Sequence, residues 1–441
     1  MEWYKDAVIY HIYALSLANA PAVNDYKELR NTTAEIEKWI PHINGMGFNT
    51  VLFSPVLKSK SHGYDVTDYF EIDNRIGVND AFKTLVKNFH DNGIRVIVDC
   101  VFNHCGRDFF AFKELQNRNM QYSGWFSGVD FSKQSPMGDP FTYDTWSGHF
   151  KLPKFNLKND AVKEYLLNAA RFWIDTFDID GMRLDAADVL DKNFMTELRR
   201  VTEEKKNDFW LMGEVVHGDY SKWVNAQTLH SVTNYFLYKS LYSSHNENNL
   251  FELAHCLETS VPANGLPLLS FLDNHDQNRI ASTVSNPAHL NTLYALLFTL
   301  PGIPCVYYGS EWGIKGEREK YSDNQLRPYI DIEKRYDFST SLTGYINKLI
   351  SIRQNESALK YGSYKKLYIE YDRPFVFKRC HEKERIIVAV NIKDRDDFID
   401  LNSHCINELT DLLSGECITP RYYRIKPHSV LILKENNSSF F

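Results

Sequence analysis

Three carboxylates stand at the ends of short apolar runs: Asp185 in Asp180-Gly-Met-Arg-Leu-Asp185, Glu214 in Met212-Gly-Glu-Val-Val-His217, and Asp276 in Phe271-Leu-Asp-Asn-His-Asp276. An acidic side chain at the end of a buried strand costs stability unless it is paired, hydrogen-bonded or used in chemistry. Three such positions imply one shared mouth where strands end. Paired carboxylates there are what glycoside hydrolysis requires. One attacks the anomeric carbon, and the other protonates the leaving oxygen and later activates water; in retaining enzymes they stand roughly 5–5.5 Å apart.

Neighbouring residues separate the roles. Arg183 lies two residues before Asp185, so on a strand the two share a face. A guanidinium there favours the ionised form that a nucleophile needs. Glu214 sits in the apolar run Trp210-Leu-Met-Gly-Glu-Val-Val, which is expected to raise its pKa towards that of a general acid. Asp276 is then the third carboxylate, orienting hydroxyls and supporting oxocarbenium-like charge. His104 and His275 would donate hydrogen bonds to the same ring, and Tyr64 would offer a stacking surface. Asp99, in Val96-Ile-Val-Asp99, is read as a structural hydrogen-bonding group inside the mouth. Taken singly, each of these has a blander reading, such as a structural ion pair for Arg183 with Asp185. Their joint placement at strand ends is what favours a site.

The elements that must hold these groups alternate. Strands are predicted at 7–13, 49–53, 95–102, 181–185, 210–215, 231–236, 268–272 and 304–308. Helical periodicity fills 33–44, 80–92, 161–177, 191–204, 220–226, 248–258 and 288–300. Eight strand–helix units predict an α/β fold, a closed (β/α)8 TIM barrel. An open doubly wound sheet is the runner-up, weakened because no Gly-x-Gly-x-x-Gly follows the first strand. The barrel is expected to comprise residues 1–104 and 158–358. Residues 105–157 are too long for a structureless loop and read as a subdomain inserted after strand three, over the mouth. From 359 to 441, short alternating runs predict a C-terminal antiparallel β-sandwich, with 436–441 as a frayed tail.

The bulk numbers exclude several classes. The 441 residues, 43% of them hydrophobic, can bury a large core, and a net charge of −7 gives no support for a nucleic-acid or anionic-membrane partner. The longest apolar stretch, 290–308, is broken by Pro301, Gly302 and Pro304, so no membrane span is expected. The seven cysteines show no metal-type spacing and read as free thiols. The residues after Met1 lack a basic and apolar leader, so the expected location is the cytoplasm.

Together the motifs resemble the α-amylase family of glycoside hydrolases. The matching segments run in family order: Asp99-Cys-Val-Phe-Asn103-His104, Gly181-Met-Arg183-Leu-Asp185, Gly213-Glu214-Val-Val-His217 and Phe271-Leu-Asp-Asn-His275-Asp276. His62-Gly-Tyr64-Asp65 and Tyr307-Tyr-Gly-Ser310-Glu311 extend the likeness. The resemblance implies a retaining mechanism on α-glucosidic bonds, with Asp185 as nucleophile, Glu214 as acid/base and Asp276 as transition-state stabiliser. It implies substrate contacts at Tyr64, His104, Lys154, Arg183, His217, His275 and Arg279. Leu152-Pro-Lys154-Phe-Asn-Leu157 is similar to a segment of the neopullulanase and cyclomaltodextrinase branch. Two departures are that the first strand begins near residue 7, with no preceding β domain, and that Ser310 stands where the branch has an aspartate associated with sugar recognition. Asn103 matches a family calcium ligand. No cofactor is required by the carboxylate chemistry, with calcium as an optional ion.

The expected activity is hydrolysis of α-1,4-glucosidic bonds, with some α-1,6, in maltodextrins, cyclodextrins or starch-derived oligosaccharides. The alternatives are a transglycosylase or isomerase sharing the covalent step, and a non-catalytic glucan-binding member. The latter is disfavoured because all three carboxylates are present. The partner is the glucan itself; oligomeric state is left open.

Overall fold

Eight short parallel strands form one sheet in the computed structural model, which describes residues 2–259, 266–320, 322–338, 341–401, 408–419 and 422–436. The strands are β1 (Ile9–Ile12), β2 (Thr50–Phe53), β3 (Arg95–Cys100), β4 (Gly181–Leu184), β5 (Trp210–Gly213), β6 (Ser231–Val232), β7 (Leu269–Phe271) and β8 (Ile303–Tyr307). They run in the order β6-β5-β4-β3-β2-β1-β8-β7, and a parallel bridge from Thr233 to Leu269 completes the ring. The expected (β/α)8 TIM barrel is the fold of the chain.

Side-chain parity explains where the polar groups go. Ile9, Leu52, Ile97, Trp210, Met212, Leu269, Phe271, Ile303 and Cys305 cluster together inside the barrel. Intervening residues such as Val8, Tyr10, Val51, Val96 and Val98 pack in the larger cluster shared with the helices. Because strand side chains alternate, residues two further along from Ile97 and Met212 also face inward. Those residues are Asp99 and Glu214. Apolar side chains thus fill the barrel's lower part, and charge appears only at its carboxyl end.

The opposite end is fastened by Asp180. Its carboxylate meets His90 Nε2 at 2.8 Å, Lys206 Nζ at 3.0 Å and Arg95 Nη1 at 3.2 Å, and accepts the Val96 N–H at 2.8 Å. Burial works against the charge, but His90, Lys206 and the Val96 amide outweigh it and hold the pKa down. A depressed pKa contributes stability above the unfolded carboxylate's pKa, and that stability is lost as pH falls through the folded value. Asp180→Asn is therefore expected to destabilise the protein by about 2–3 kcal/mol at neutral pH. The gap from wild type should close in acid. Urea midpoints measured at several pH values check this.

Helices cover the barrel: α1 (Ile40–Met46), α2 (Asn79–Asp91), α3 (Asp160–Phe177), α4 (Lys192–Lys205), α5 (Tyr235–Asn246), α6 (His289–Thr299) and α7 (Ser341–Asn355). Three expectations fail locally. The helix predicted at 33–44 is broken into Thr33–Glu37 and α1, which has Pro41 in its first turn. The strand predicted at 231–236 is only two residues long, because the Asn234 side chain accepts the Leu237 N–H and starts α5. The helix predicted at 220–226 is a single 3₁₀ turn, Tyr220–Lys222.

Between β3 and α3 lies the inserted subdomain, with a helix at Phe110–Gln116 and paired strands Thr145–Trp146 and His149–Pro153. Its buried Asp139 is held by Arg107, Ser135 and Gln116. Backbone bonds tie it to the end of β3: His104 bridges Lys154, and Phe155 N donates to Asn103 O.

The C-terminal strands are β9 (Ser363–Tyr368), β10 (Phe375–His381), β11 (Glu384–Asn391), β12 (Asp397–Asp400), β13 (Leu409–Asp411), β14 (Cys417–Ile418), β15 (Tyr422–Ile425) and β16 (Ser429–Glu435). Six form an antiparallel sheet in the order β9-β10-β11-β16-β13-β14, while β12 pairs with β15. Of these, β13, β14 and β15 were not predicted, and residues 437–441 of the predicted tail lie outside the described residues. Of two buried arginines here, Arg379 joins this sheet to the barrel, while Arg353 on α7 ties two parts of the barrel together. Arg353 donates to Phe298 O, Leu300 O and Gly302 O, and Arg379 to Thr299 O and Gly362 O. Both guanidiniums satisfy carbonyls that α6 leaves unpaired at its end. Among the described residues all six cysteines are free, Cys100, Cys105, Cys256 and Cys305 being buried. No helix among them is long and apolar enough to cross a membrane.

Candidate active site

Arg183 organises the mouth. Its inward parity on β4 places the guanidinium between Asp99 Oδ2, at 2.5 Å from Nη1, and Glu214 Oε1, at 2.9 Å from Nη2. Asp185 Oδ1 stands further off, at 3.6 Å from Nη1. Desolvation opposes the buried cation, but Asp99 and Glu214 dominate and keep its pKa well above the usual value. The expectation that Arg183 would hold Asp185 ionised is corrected here. Burial, followed by the neighbouring Glu214 carboxylate, pushes the Asp185 carboxyl well up, and Arg183 only partly offsets them.

Glu214 is placed by backbone geometry. Ala186, directly after Asp185, adopts a left-handed φ of 48°, a conformation that costs an alanine energy. This turn aims the Ala186 N–H at Glu214 Oε2, 3.2 Å away. Gly213 allows the approach, since a Cβ there would lie 2.4 Å from Leu229 Cδ1 and 2.8 Å from Ala187 Cβ. The Tyr235 hydroxyl donates to Glu214 Oε1 at 3.2 Å. Of the apolar neighbours expected to surround this carboxylate, Leu211 and Val215 pack in the outer core, and Trp210 and Met212 lie on its own side, deeper in the barrel. Its actual surroundings are a guanidinium, an amide and a phenol.

Asp276 faces the same space from the loop after β7. His275 Nε2 lies 3.0 Å from its Oδ2, and Arg327 Nη2 lies 2.9 Å from its Oδ1. Burial alone would raise its pKa, but His275, Arg327 and Arg183 together hold it well below the carboxylate range. Asp185 and Asp276 are thus pushed in opposite directions.

Rings line the remaining wall. Tyr64 stacks on His275 with centroids 5.4 Å apart and planes 10° apart. Its hydroxyl donates to Asp99 Oδ2 at 2.9 Å and stands 2.5 Å from His275 Nε2. Burial, with a smaller effect from His62, drives the His104 pKa down to about 3, so the ring is neutral. Its Nε2 is buried and unpartnered, as are Asp185 Oδ2, Asp99 Oδ1 and His275 Nδ1. Buried polar atoms are rarely left unsatisfied. Here they belong to the residues around one mouth, where a ligand's hydroxyls would complete them. Beyond Asp276 an open cleft of about 660 Å³ continues past Tyr238, Tyr242, Gln277 and Arg318.

The structure brings together Tyr64, Asp99, Arg183, Asp185, Glu214, His275 and Asp276 through direct contacts, with His104 beside them at the end of β3. Lys154 is half-buried where the subdomain meets His104. His217 is exposed on the loop after β5. Arg279 is a correction: it has no exposed surface and does not reach the mouth. Its guanidinium donates to Tyr308 O, Ser310 Oγ and Leu326 O and lies 4.1 Å over the Tyr307 ring. Ser310, expected to bear on sugar recognition, is likewise buried, donating to Asp273 Oδ2 at 2.8 Å.

Asn103, the expected calcium ligand, follows β3 beside His104. Its Oδ1 is buried and unpartnered. Calcium takes about six to eight oxygens, and no group of three or more His, Cys, Asp or Glu side chains among the described residues could hold a metal.

Three contributors escaped sequence reasoning. Arg327 lies on the long loop after β8, bonded to Asp276 and to His275 O. Tyr235 opens α5. Trp146, on the subdomain hairpin, has its ring 5.7 Å from His104. Aromatic richness was the only signal for Trp146 and Tyr235, and it does not discriminate; Arg327 gave none.

Acids at the carboxyl end of a (β/α)8 barrel, under a subdomain inserted after β3, are the arrangement of a glycosidase. The family model described as "Alpha amylase, catalytic domain" matches residues 33–329, and the chain belongs to the alpha-amylase family. It is 32% identical to a cyclomaltodextrinase of Thermoanaerobacter pseudethanolicus, over 98% of this chain and 78% of that protein. It is also 32% identical to neopullulanase 2 of Thermoactinomyces vulgaris, over 88% of this chain and 70% of that one. Among solved structures, the cyclic alpha-maltosyl-(1→6)-maltose hydrolase of Arthrobacter globiformis superposes with a TM-score of 0.83 at 25% identity, covering 99% of this chain and 100% of that one.

Proposed function

We propose that the protein is a retaining hydrolase of α-1,4-linked glucans, acting on maltodextrins, cyclodextrins or starch-derived oligosaccharides and on some α-1,6 bonds. The observation that carries this reading is one guanidinium, Arg183, shared by Asp185 and Glu214. It holds two carboxyl groups side by side at the mouth, as a double displacement needs.

Asp185 attacks the anomeric carbon, using the oxygen that has no protein partner. Glu214 gives its proton to the departing glycosidic oxygen, so the C–O bond breaks without releasing an alkoxide. A glycosyl ester on Asp185 remains. Glu214, now ionised, takes a proton from water, whose oxygen displaces Asp185 and releases the sugar. Asp276, kept ionised by His275 and Arg327, supports the oxocarbenium-like charge. Tyr64, His104 and His275 supply the wall and the hydrogen bonds to the ring. Lys154 and His217 extend the contact surface outward. Asp99 and Asn103 are structural.

The catalytic unit is assigned to residues 1–104 and 158–358, with 105–157 as the subdomain and 359–441 as the C-terminal domain. The name of a Bacillus subtilis relative, "Intracellular maltogenic amylase", favours a cytoplasmic location.

A panel of maltotriose, β-cyclodextrin, pullulan and starch, with products resolved over time, tests the reading. Short maltodextrins of retained α configuration are expected from the first turnovers. Early accumulation of oligosaccharides longer than the substrate would assign the enzyme to sugar transfer instead.

A further inference from the structure

We propose a second α-glucan-binding site on the C-terminal domain, at the β12–β15 pair; it rests on the hydrolase reading above. Alternate residues of β12 face outward: Phe398 and Asp400 are exposed while Ile399 is buried. The antiparallel register sets Phe398 opposite Arg424 and Asp400 opposite Tyr422. Cross-strand partners share a face, so aromatic and charged side chains alternate on one small surface. Phe398 is 48% and Tyr422 65% exposed. The two rings thus stand in water on neighbouring strands.

The pair borders a groove of about 360 Å³ whose lining includes Leu367, Arg373, Val376, Phe398, Ile399 and Tyr422. That volume lies within the range of about 300–1,000 Å³ typical of small-ligand sites. Val376 and Ile399 belong to the domain's own core, so this part of the lining is firm.

Charge decides the class of occupant. Arg373 at the groove is paired with Asp397 at 2.6 Å, and Arg424 is paired with Asp396. Both cations are already balanced within the protein, so an acidic or basic partner gains little. Their spare N–H groups still donate, since a guanidinium has five. A neutral ligand with apolar C–H faces and hydroxyl edges matches rings flanked by such donors. A glucan chain has that chemistry, and it is what the barrel is read to cleave.

The test is native electrophoresis of the full chain through gels containing soluble starch, in an Asp185→Asn background so that the starch persists. Adding Phe398→Ala and Tyr422→Ala should reduce retardation at least about threefold, through loss of two stacking contacts. Tyr422→Phe, which keeps the ring, should retain it. In the otherwise unmodified enzyme the same two alanines should leave kcat/KM on maltotriose within about twofold, because the groove lies outside the cleft. Both side chains are exposed, so the variants should fold, which circular dichroism verifies. Unchanged starch retardation overturns the proposal. So does unchanged retardation accompanied by a dimer-to-monomer shift in sedimentation, which would identify a self-association surface. Failure of the wild-type enzyme to cleave maltotriose would instead count against the hydrolase reading, while the gel result would still decide the groove.

Discussion

Asp185→Asn should lower kcat on maltotriose or β-cyclodextrin by about four orders of magnitude or more, the scale seen when a nucleophile is removed. It should do so without loss of fold. Asparagine keeps the size of Asp185 but cannot form a glycosyl ester. Three acids, Asp99, Asp185 and Glu214, crowd one guanidinium, and burial pushes the Asp185 carboxyl well up. A folded pKa above the unfolded one means that ionising the group costs folding free energy as pH rises through the folded value. Removing the charge removes that cost. The variant should therefore match wild type in acid and equal or exceed its thermal midpoint at neutral pH and above. A variant that turned over normally would exclude Asp185 as the nucleophile. One that melted much lower at every pH would make the residue structural.

Glu214→Gln has a different expected pattern. The one oxygen of glutamine can still accept from Arg183 and Tyr235, while its NH2, standing where Oε2 was, no longer accepts the Ala186 N–H, so a single hydrogen bond is lost. It cannot donate a carboxylic proton. On a natural glucan, whose leaving group needs that proton, kcat should fall by about three orders of magnitude. On α-maltosyl fluoride, whose leaving group departs unprotonated, formation of the glycosyl-enzyme should fall far less. Pre-steady-state fluoride release separates the two steps. Equal losses on both substrates would remove Glu214 from the acid role.

Much of this site is readable in the chain because strand periodicity is local. Asp99, Arg183, Asp185 and Glu214 each lie an even number of residues from a barrel-filling or inward-facing neighbour, so their common direction follows from the sequence alone. What was not readable depends on long-range closure. Arg327 reaches Asp276 across a loop whose course no periodicity encodes. Trp146 approaches His104 only because the subdomain folds back along His104 and Lys154. Arg279 shows the converse error: three residues after Asp276 in sequence, it turns inward because carbonyls at Tyr308 and Leu326 require a donor. The environment of Glu214 was misjudged for a similar reason. Of its apolar sequence neighbours, Leu211 and Val215 face the other way, while Trp210 and Met212 fill the barrel below it.

The two arginines beneath α6 bear on how the molecule can be divided. Arg353 comes from the barrel's last long helix, and Arg379 from the second strand of the C-terminal sheet; both donate to the same stretch of backbone, 298–302, which leads into β8. Cutting the chain after the barrel would strip the Arg379 hydrogen bond to Thr299 O from the approach to the strand whose end carries Ser310 and Glu311. In evolutionary terms, the C-terminal domain is not a module that can be exchanged freely. Its loss would need compensating changes inside the catalytic barrel, so the two are expected to have diverged as a single inherited unit.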